Sequence, residues 1–302
     1  LLISLKTLIL QAMPSTKKLS KHNEIEELAL IANNLRKTII NMLLEAGSGH
    51  PASSLGMADI FAALYFKILN IDPKNPNDLD RDRFVLSNGH ICPLWYATLA
   101  ERGYFSKAKL KDLRKLGSEL QGHPKFGALS GIENSSGSLG QGLSQAAGMA
   151  LAAKIQGKKY RVYVATGDGE LQEGQIWEAA MFAPNKKLDN LTWIIDRNNI
   201  QIDGYTEDIM PLENLRSKLE SFNWYVIEID GHNIEEIISA CNMAKSVSQR
   251  PTAIIAHTIP GRGVEFMEYK FEWHGKVPSK EQALKAVKSL ASLEGRIKSD
   301  YD

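Results

Sequence analysis

The chain has 302 residues, enough for one large or two ordinary domains around a sizeable core. Its 36 Lys plus Arg against 35 Asp plus Glu leave a formal net charge of +1, which argues against nucleic-acid binding as its main business. With 43% hydrophobic and 24% charged residues the composition is globular, and no apolar stretch approaches the roughly 18–20 residues of a membrane span. Two cysteines, Cys92 and Cys241, make neither a disulfide framework nor a zinc-ligand cluster, so a reducing, cytoplasmic compartment is expected.

In chain order, the apolar opening is interrupted by Lys6 and has no small-residue cleavage site, so residues 1–22 are expected to be an extension or arm. Helical spacing of Ile25, Leu28, Ile31, Leu35, Ile39, Met42 and Leu43 predicts a helix over 23–46 that Gly47 ends. A second helix fits Met57 to Leu69, before the turn formers Asp72-Pro73-Lys74-Asn75-Pro76. Strands are predicted at Arg83–Leu86, Arg161–Thr166, Leu191–Asp196, Trp224–Asp230 and Thr252–Thr258, and helices at 142–156, 173–183, 211–221 and 233–248. Such alternation implies an α/β fold of three layers, α/β/α, with a mostly parallel sheet. One domain is expected over 23–278, followed by an amphipathic helix in 279–302 that opens on the cap pair Ser279 and Gln282.

The most informative stretch is Val162-Tyr163-Val164-Ala165-Thr166-Gly167-Asp168-Gly169-Glu170, a β-rich run that stops at a glycine-flanked acid. Thirty residues after Asp168, the run Trp193-Ile194-Ile195-Asp196-Arg197 leads to Asn198. In an open parallel sheet, ligands collect at the carboxyl ends of the strands, so Asp168 and Asn198 should converge there. A carboxylate, an amide oxygen and main-chain carbonyls are hard donors suited to magnesium, which fills its remaining positions with phosphate oxygens and water. Gly167 and Gly169 would let the backbone approach those phosphates. The alternative is a plain turn that uses Gly-Asp-Gly for its positive-φ positions.

The spacing from Gly-Asp-Gly to Asn resembles the thiamine-diphosphate fingerprint. That resemblance implies a metal held by Asp168, Asn198 and the main chain of Ile200, carrying the cofactor's diphosphate. The metal would be Mg2+, with Ca2+ or Mn2+ as possible substitutes. Further motifs stand in the order and approximate spacing of the transketolases: Gly47-Ser48-Gly49-His50-Pro51, Ser87-Asn88-Gly89-His90, Gly122-His123-Pro124, Gly137-Ser138-Leu139-Gly140, Asp230-Gly231-His232 and Trp273-His274-Gly275.

Transketolase-type chemistry moves a two-carbon ketol unit from a ketose to an aldose, and hydroxyl protons must be taken and returned near neutral pH, where imidazole titrates. The resemblance implies proton transfer and contacts to diphosphate or substrate oxygens for His50 and His274, a place near the cofactor phosphates for His90, and contact with the transferred unit's hydroxyl for His123. It also implies that Gly137 and Leu139 border the cofactor rings and that Glu173 and Glu178 lie near a subunit interface. Ser138 and Ala52 depart from the Pro and Gly common in the family. His257 is expected to be structural, His22 receives no role, and Arg262 in its glycine-rich turn is expected to be solvated unless it meets a sugar phosphate.

Transketolases are roughly twice this long and build the cofactor site between a diphosphate-binding and a pyrimidine-binding domain. The resemblance therefore implies the amino-terminal subunit of a split enzyme. Its partners would be a carboxy-terminal subunit with the pyrimidine domain and sugar-phosphate substrates, assembled as a dimer of heterodimers. Two alternatives stand beside it: a subunit of another thiamine-diphosphate enzyme, of 2-oxoacid dehydrogenase α-type or deoxyxylulose-phosphate-synthase-like, and a non-catalytic binding module that retains the fold.

Overall fold

The computed structural model describes residues 21–292. Of the arm expected over residues 1–22, residues 1–20 lie outside the described residues, as does the end of the terminal helix, while Lys21 and His22 already belong to the first helix. Four helices come first: α1 (Lys21–Ala46), α2 (Pro51–Gly56) and α3 (Ala58–Ala63), then, after strand β1 (Arg83–Leu86), α4 (Cys92–Arg102). Next follow α5 (Gln141–Ile155), β2 (Val162–Gly167), α6 (Gly174–Asn185) and β3 (Leu191–Arg197). A small antiparallel hairpin, β4 (Ile200–Gln201) and β5 (Gly204–Tyr205), leads through α7 (Thr206–Ile209) and α8 (Leu215–Ser221) to β6 (Tyr225–Asp230). The chain continues with α9 (Ile234–Ser246), β7 (Thr252–His257) and α10 (Lys280–Ser292).

The main sheet is wholly parallel, in the order β1-β2-β3-β7-β6. Side chains alternate between its faces, as the two-residue period of a strand requires. Phe84, Tyr163, Ala165, Ile194, Ile254 and Ala256 join one core with α1, α3, α4 and α9. Val85, Val164, Trp193, Ile195 and Ile255 join the other with α5, α6 and α8. Both faces are thus covered, and the strands read as near-continuous apolar runs. From β3 the chain crosses to β6 and returns to β7, placing α9 on the face opposite α5, α6 and α8, as right-handed crossovers in reversed directions demand.

Each predicted strand is present within one or two residues of its expected ends. The helix over 57–69 continues as α3 into a π-helical turn, Leu64–Ile68, and the helix over 211–221 starts late, because Asn214 caps it by accepting from Ser217 N at 2.9 Å. Two helices escaped sequence reading for a common reason. Every residue of α2, and Cys92 to Ala100 in α4, is buried, so neither has a polar face to mark a helical period. Among the described residues no helix is long and apolar enough to cross a membrane, and both cysteines are buried and free.

One buried polar network ties the first core to the site edge. Arg36 on α1 donates Nη1 to Asp59 Oδ1 on α3 at 3.1 Å and Nε to the carbonyl of Leu55 at 3.0 Å. Asp59 Oδ2 takes a second bond from Arg36 and pairs with His232 Nδ1 at 2.8 Å, while His232 Nε2 accepts from the amide of Ile259 at 2.8 Å. That acceptor role fixes the tautomer, with the proton on Nδ1. Burial alone would raise the Asp59 carboxyl, but Arg36 and His232 outweigh it and hold it well below the usual carboxylate range. His232 thus anchors the β7 exit loop and is structural. Asp59→Ala should cost about 3–5 kcal/mol, because Arg36 is left buried without its counter-charge; denaturant unfolding with an unchanged slope measures it.

Candidate active site

The carboxyl ends of β1, β2 and β3 present three loops at one sheet edge. Asp168 follows β2 and is 1% exposed. Its Oδ1 accepts from Gly169 N at 2.8 Å, and its Oδ2 accepts from Asn199 N at 2.7 Å and Arg197 Nη1 at 2.9 Å. Burial pushes this carboxyl up to about 6, against the pull of Arg197 and the two amides. Asn198 follows β3; its Nδ2 donates to Asp196 Oδ2 at 2.6 Å and to Ser53 Oγ at 3.1 Å, which turns Oδ1 toward the amide of Ile200 at 3.0 Å. Ile200 opens the hairpin β4–β5 immediately beyond.

Carboxylate, amide oxygen and the main chain of Ile200 are therefore brought together by hydrogen bonds between β2 and β3. This donor set, with a single carboxylate and no sulfur or imidazole, fits a small hard cation. Among the described residues no cluster of three or more His, Cys, Asp or Glu side chains offers a different metal site. Gly167 and Gly169 do not adopt positive φ, which removes the plain-turn explanation of the Gly-Asp-Gly motif. Gly169 is instead required by close approach: a Cβ there would lie 2.9 Å from that of Gln201.

The four motif histidines form one cluster, although 224 residues separate the first from the last. Ring centroids lie 5.2 Å apart for His50 and His90, 5.6 Å for His50 and His274, 5.0 Å for His90 and His274, and 6.3 Å for His50 and His123. His50 stands at the N-cap of α2, and Ser53 in that helix touches Asn198, so the cluster and the candidate metal ligands share a wall. Burial pushes His50 down to about 4, with His274, Arg114 and His123 adding to it, and burial lowers His90, His123 and His274 as well. The imidazoles are thus neutral near pH 7. His50 Nδ1, His274 Nδ1, Asn88 Oδ1 and Ser136 Oγ are buried without hydrogen-bond partners. So many orphaned polar atoms at one cleft fit a polar ligand that supplies the missing bonds.

Gly137, at φ +150°, borders His123: a Cβ there would lie 3.6 Å from the His123 Cβ. Leu139 is half-buried in the same loop, and Glu173 and Glu178 are exposed at the start of α6. His257 ends β7 at the surface, paired with Glu228 at 3.1 Å, and His22 pairs with Glu26 at 3.0 Å on α1. Arg262 is buried, 8% exposed, and not solvated as its glycine-rich turn suggested.

Sequence reading assigned no role to three further residues. Glu170, 2% exposed, accepts from the Ser87 hydroxyl, from Gly140 N at 2.7 Å and from Gly167 N at 3.2 Å. Ser87 Oγ in turn accepts from Gly142 N at 2.9 Å. Arg197 pairs with Asp168, Glu207 at 2.6 Å and Glu213 at 2.8 Å, tying the candidate metal-site edge to α7 and the start of α8. The only sequence signal was that both Glu170 and Arg197 are charged residues directly beside the motif positions. Each donor abandoned in Glu170→Ala costs about 1–3 kcal/mol, offset in part by removing a buried charge. A net loss of about 2–4 kcal/mol is expected in thermal unfolding, and Glu170→Gln, which keeps one acceptor oxygen, should lose less than half of it.

Residues 28–296 match the family model of the transketolase thiamine diphosphate binding domain. The chain is 45% identical over 259 residues to the 6-deoxy-6-sulfo-D-fructose transketolase subunit of Clostridium sp. (strain MSTE9), covering 86% of this chain and 94% of that one. It is 41% identical over 268 residues to an apulose-4-phosphate transketolase subunit of Phocaeicola vulgatus, covering 89% and 95%. The crystal structure of transketolase from Campylobacter jejuni superposes with a TM-score of 0.82 at 36% identity, over 88% of this chain and 43% of that one. The chain thus spans less than half of the solved transketolase and nearly the full length of the two subunits. With the fold, the matched length and the identity in agreement, the chain belongs to the transketolase thiamine-diphosphate-binding domain family.

Proposed function

We propose that this chain is the amino-terminal subunit of a two-chain transketolase, binding thiamine diphosphate through a divalent metal and transferring a two-carbon ketol unit between sugar phosphates with a pyrimidine-domain partner. The observation that carries this reading is the shared wall: the Asp168, Asn198 and Ile200 donor set adjoins the four-histidine cluster through Ser53. Magnesium on those three donors would anchor the diphosphate. His90 would lie beside the phosphates, and Gly137 and Leu139 beside the rings. The bound cofactor supplies the electron sink for cleaving the bond between the two-carbon unit and the rest of the ketose.

The chain's own residues supply positioning and proton transfer. Neutral His50 and His274 would accept and return the hydroxyl proton of the sugar, which a buried imidazolium could not do. His123 would hold the hydroxyl of the two-carbon unit. Exposed Glu173 and Glu178 would meet a neighbouring subunit in a dimer of heterodimers. The two subunit relatives carry anionic sugars in their names, a sulfo-fructose and a phosphorylated apulose, which supports an anion-bearing ketose as donor.

Asp168→Ala or Asn198→Ala should abolish metal-dependent binding of thiamine diphosphate, and unchanged calorimetric affinity in either variant would refute the ligand assignment. Rigorously purified chain alone should show no ketol transfer from xylulose 5-phosphate to ribose 5-phosphate, and addition of a pyrimidine-domain subunit should restore it. Turnover with pyruvate and glyceraldehyde 3-phosphate in the same reconstitution would point instead to the deoxyxylulose type of enzyme.

A further inference from the structure

We infer that Arg114 is a positioning residue for the histidine cluster: its guanidinium lies against Gly122, the residue before His123, and keeps a fixed positive charge on the His50 and His123 side of the cluster. Arg114 has φ +60° and donates its amide to the carbonyl of Leu120 at 2.8 Å, closing the loop that leads to His123. A Cβ at position 122 would lie 2.5 Å from Arg114 Nε and 2.8 Å from Nη2, so the guanidinium packs directly on that α-carbon and would have to move aside for any side chain there. The same loop is held from its other side by α4. Cys92 Sγ donates to the carbonyl of Gly122 at 3.2 Å, and Tyr96 OH donates to that of Gln121 at 3.0 Å.

Two buried arginines have carboxylates: Arg36 has Asp59, and Arg197 has Asp168. Arg114, half-buried, makes no ion pair among the described residues. Its neighbours Lys115 and Glu119 are engaged elsewhere, with Glu45 and Lys109. A guanidinium without a counter-charge projects its field onto whatever titrates nearby. What titrates nearby is His50, His123 and the Cys92 thiol, and burial pushes that thiol up to about 12, so it stays uncharged. The groups facing His50 are His90, His123, His274 and Arg114, every one neutral or cationic.

Arg114 therefore adds to burial in keeping His50 and His123 neutral. His90 is lowered by burial and the other histidines, and His274 by burial. The catalytic consequence, neutral imidazoles ready to accept a hydroxyl proton, rests on the proposed ketol transfer; the electrostatic assignment does not.

Histidine NMR titrations of the full chain separate the two. Because a nearby cation lowers an imidazole's pKa, removing it must raise the midpoint. In Arg114→Gln the His50 midpoint should rise from near 4 and that of His123 should rise with it, by more than any change at His90 and His274. Arg114→Lys, which keeps the charge, should follow the wild type. Unmoved His50 and His123 in the folded Gln variant, or an equal shift of all four rings, overturns the inference. Arg114→Met serves as the second neutral variant should the Gln chain not fold. In the reconstituted two-chain assay the acid limb of kcat/KM should move to higher pH in the Gln variant and not in the Lys variant. Absence of ketol transfer by the wild type would count against the proposed function and leave the titration result standing.

Discussion

The site depends on one buried carboxylate. Glu170 gathers the exit of β1 through Ser87, the entry of α5 through Gly140 and the exit of β2 through Gly167. These are the loops that carry His90, then Gly137 and Leu139, then Asp168. A parallel sheet aligns its strand ends but leaves the loops beyond them free, and backbone amides at such an edge have no ladder partners of their own. A carboxylate can accept several of those donors at once, which no neutral side chain of its size does. The burden is visible in the carboxyl itself, which burial pushes up to about 7 despite its three bonds.

The Arg36–Asp59–His232 network does for the histidine side what Glu170 does for the Asp168 side. It runs from α1 through α3 to the amide of Ile259, and the β7 exit loop then meets α2: Gly261 N donates to the carbonyl of Ala52 at 2.9 Å. His50 at the head of α2 and His274 beyond that loop are thereby set against each other. Between the two networks lies Asn198, whose amide is oriented by Asp196 on one side and by Ser53 of α2 on the other. Buried polar groups of this kind contribute little net stability compared with apolar packing, but they hold loops in a single arrangement.

Neutral histidines fit this architecture. Three imidazoles packed 5.0–5.6 Å apart, with His123 6.3 Å from His50, half-buried and with no carboxylate in contact among the described residues, cannot share positive charge cheaply. Their common environment selects the form able to take up a proton, and it leaves Nδ1 of His50 and of His274 unsatisfied within the protein. A site that withholds hydrogen bonds from its own side chains is prepared for a polar ligand.

Much of this was legible in the sequence. β-branched runs at regular intervals marked all five strands of the main sheet, because a strand buried on both faces must be apolar throughout. The order and spacing of several motifs, through their resemblance to the transketolases, singled out every histidine of the cluster and the candidate metal donors, where a lone Gly-His or Gly-Asp-Gly would not have. Helices α2 and α4 were not legible, because burial on all sides erases the period that announces a helix. Nor were Glu170, Arg36, Asp59 and Arg114, whose roles come from partners as far as 173 residues away and leave no local pattern. The sequence by itself determined the strands of the main sheet and the motif residues that stand at their ends, because both follow from neighbours along the chain. The tertiary structure alone decided which charges are paired and which histidines meet, because burial and charge pairing depend on distances in space that no spacing in sequence encodes.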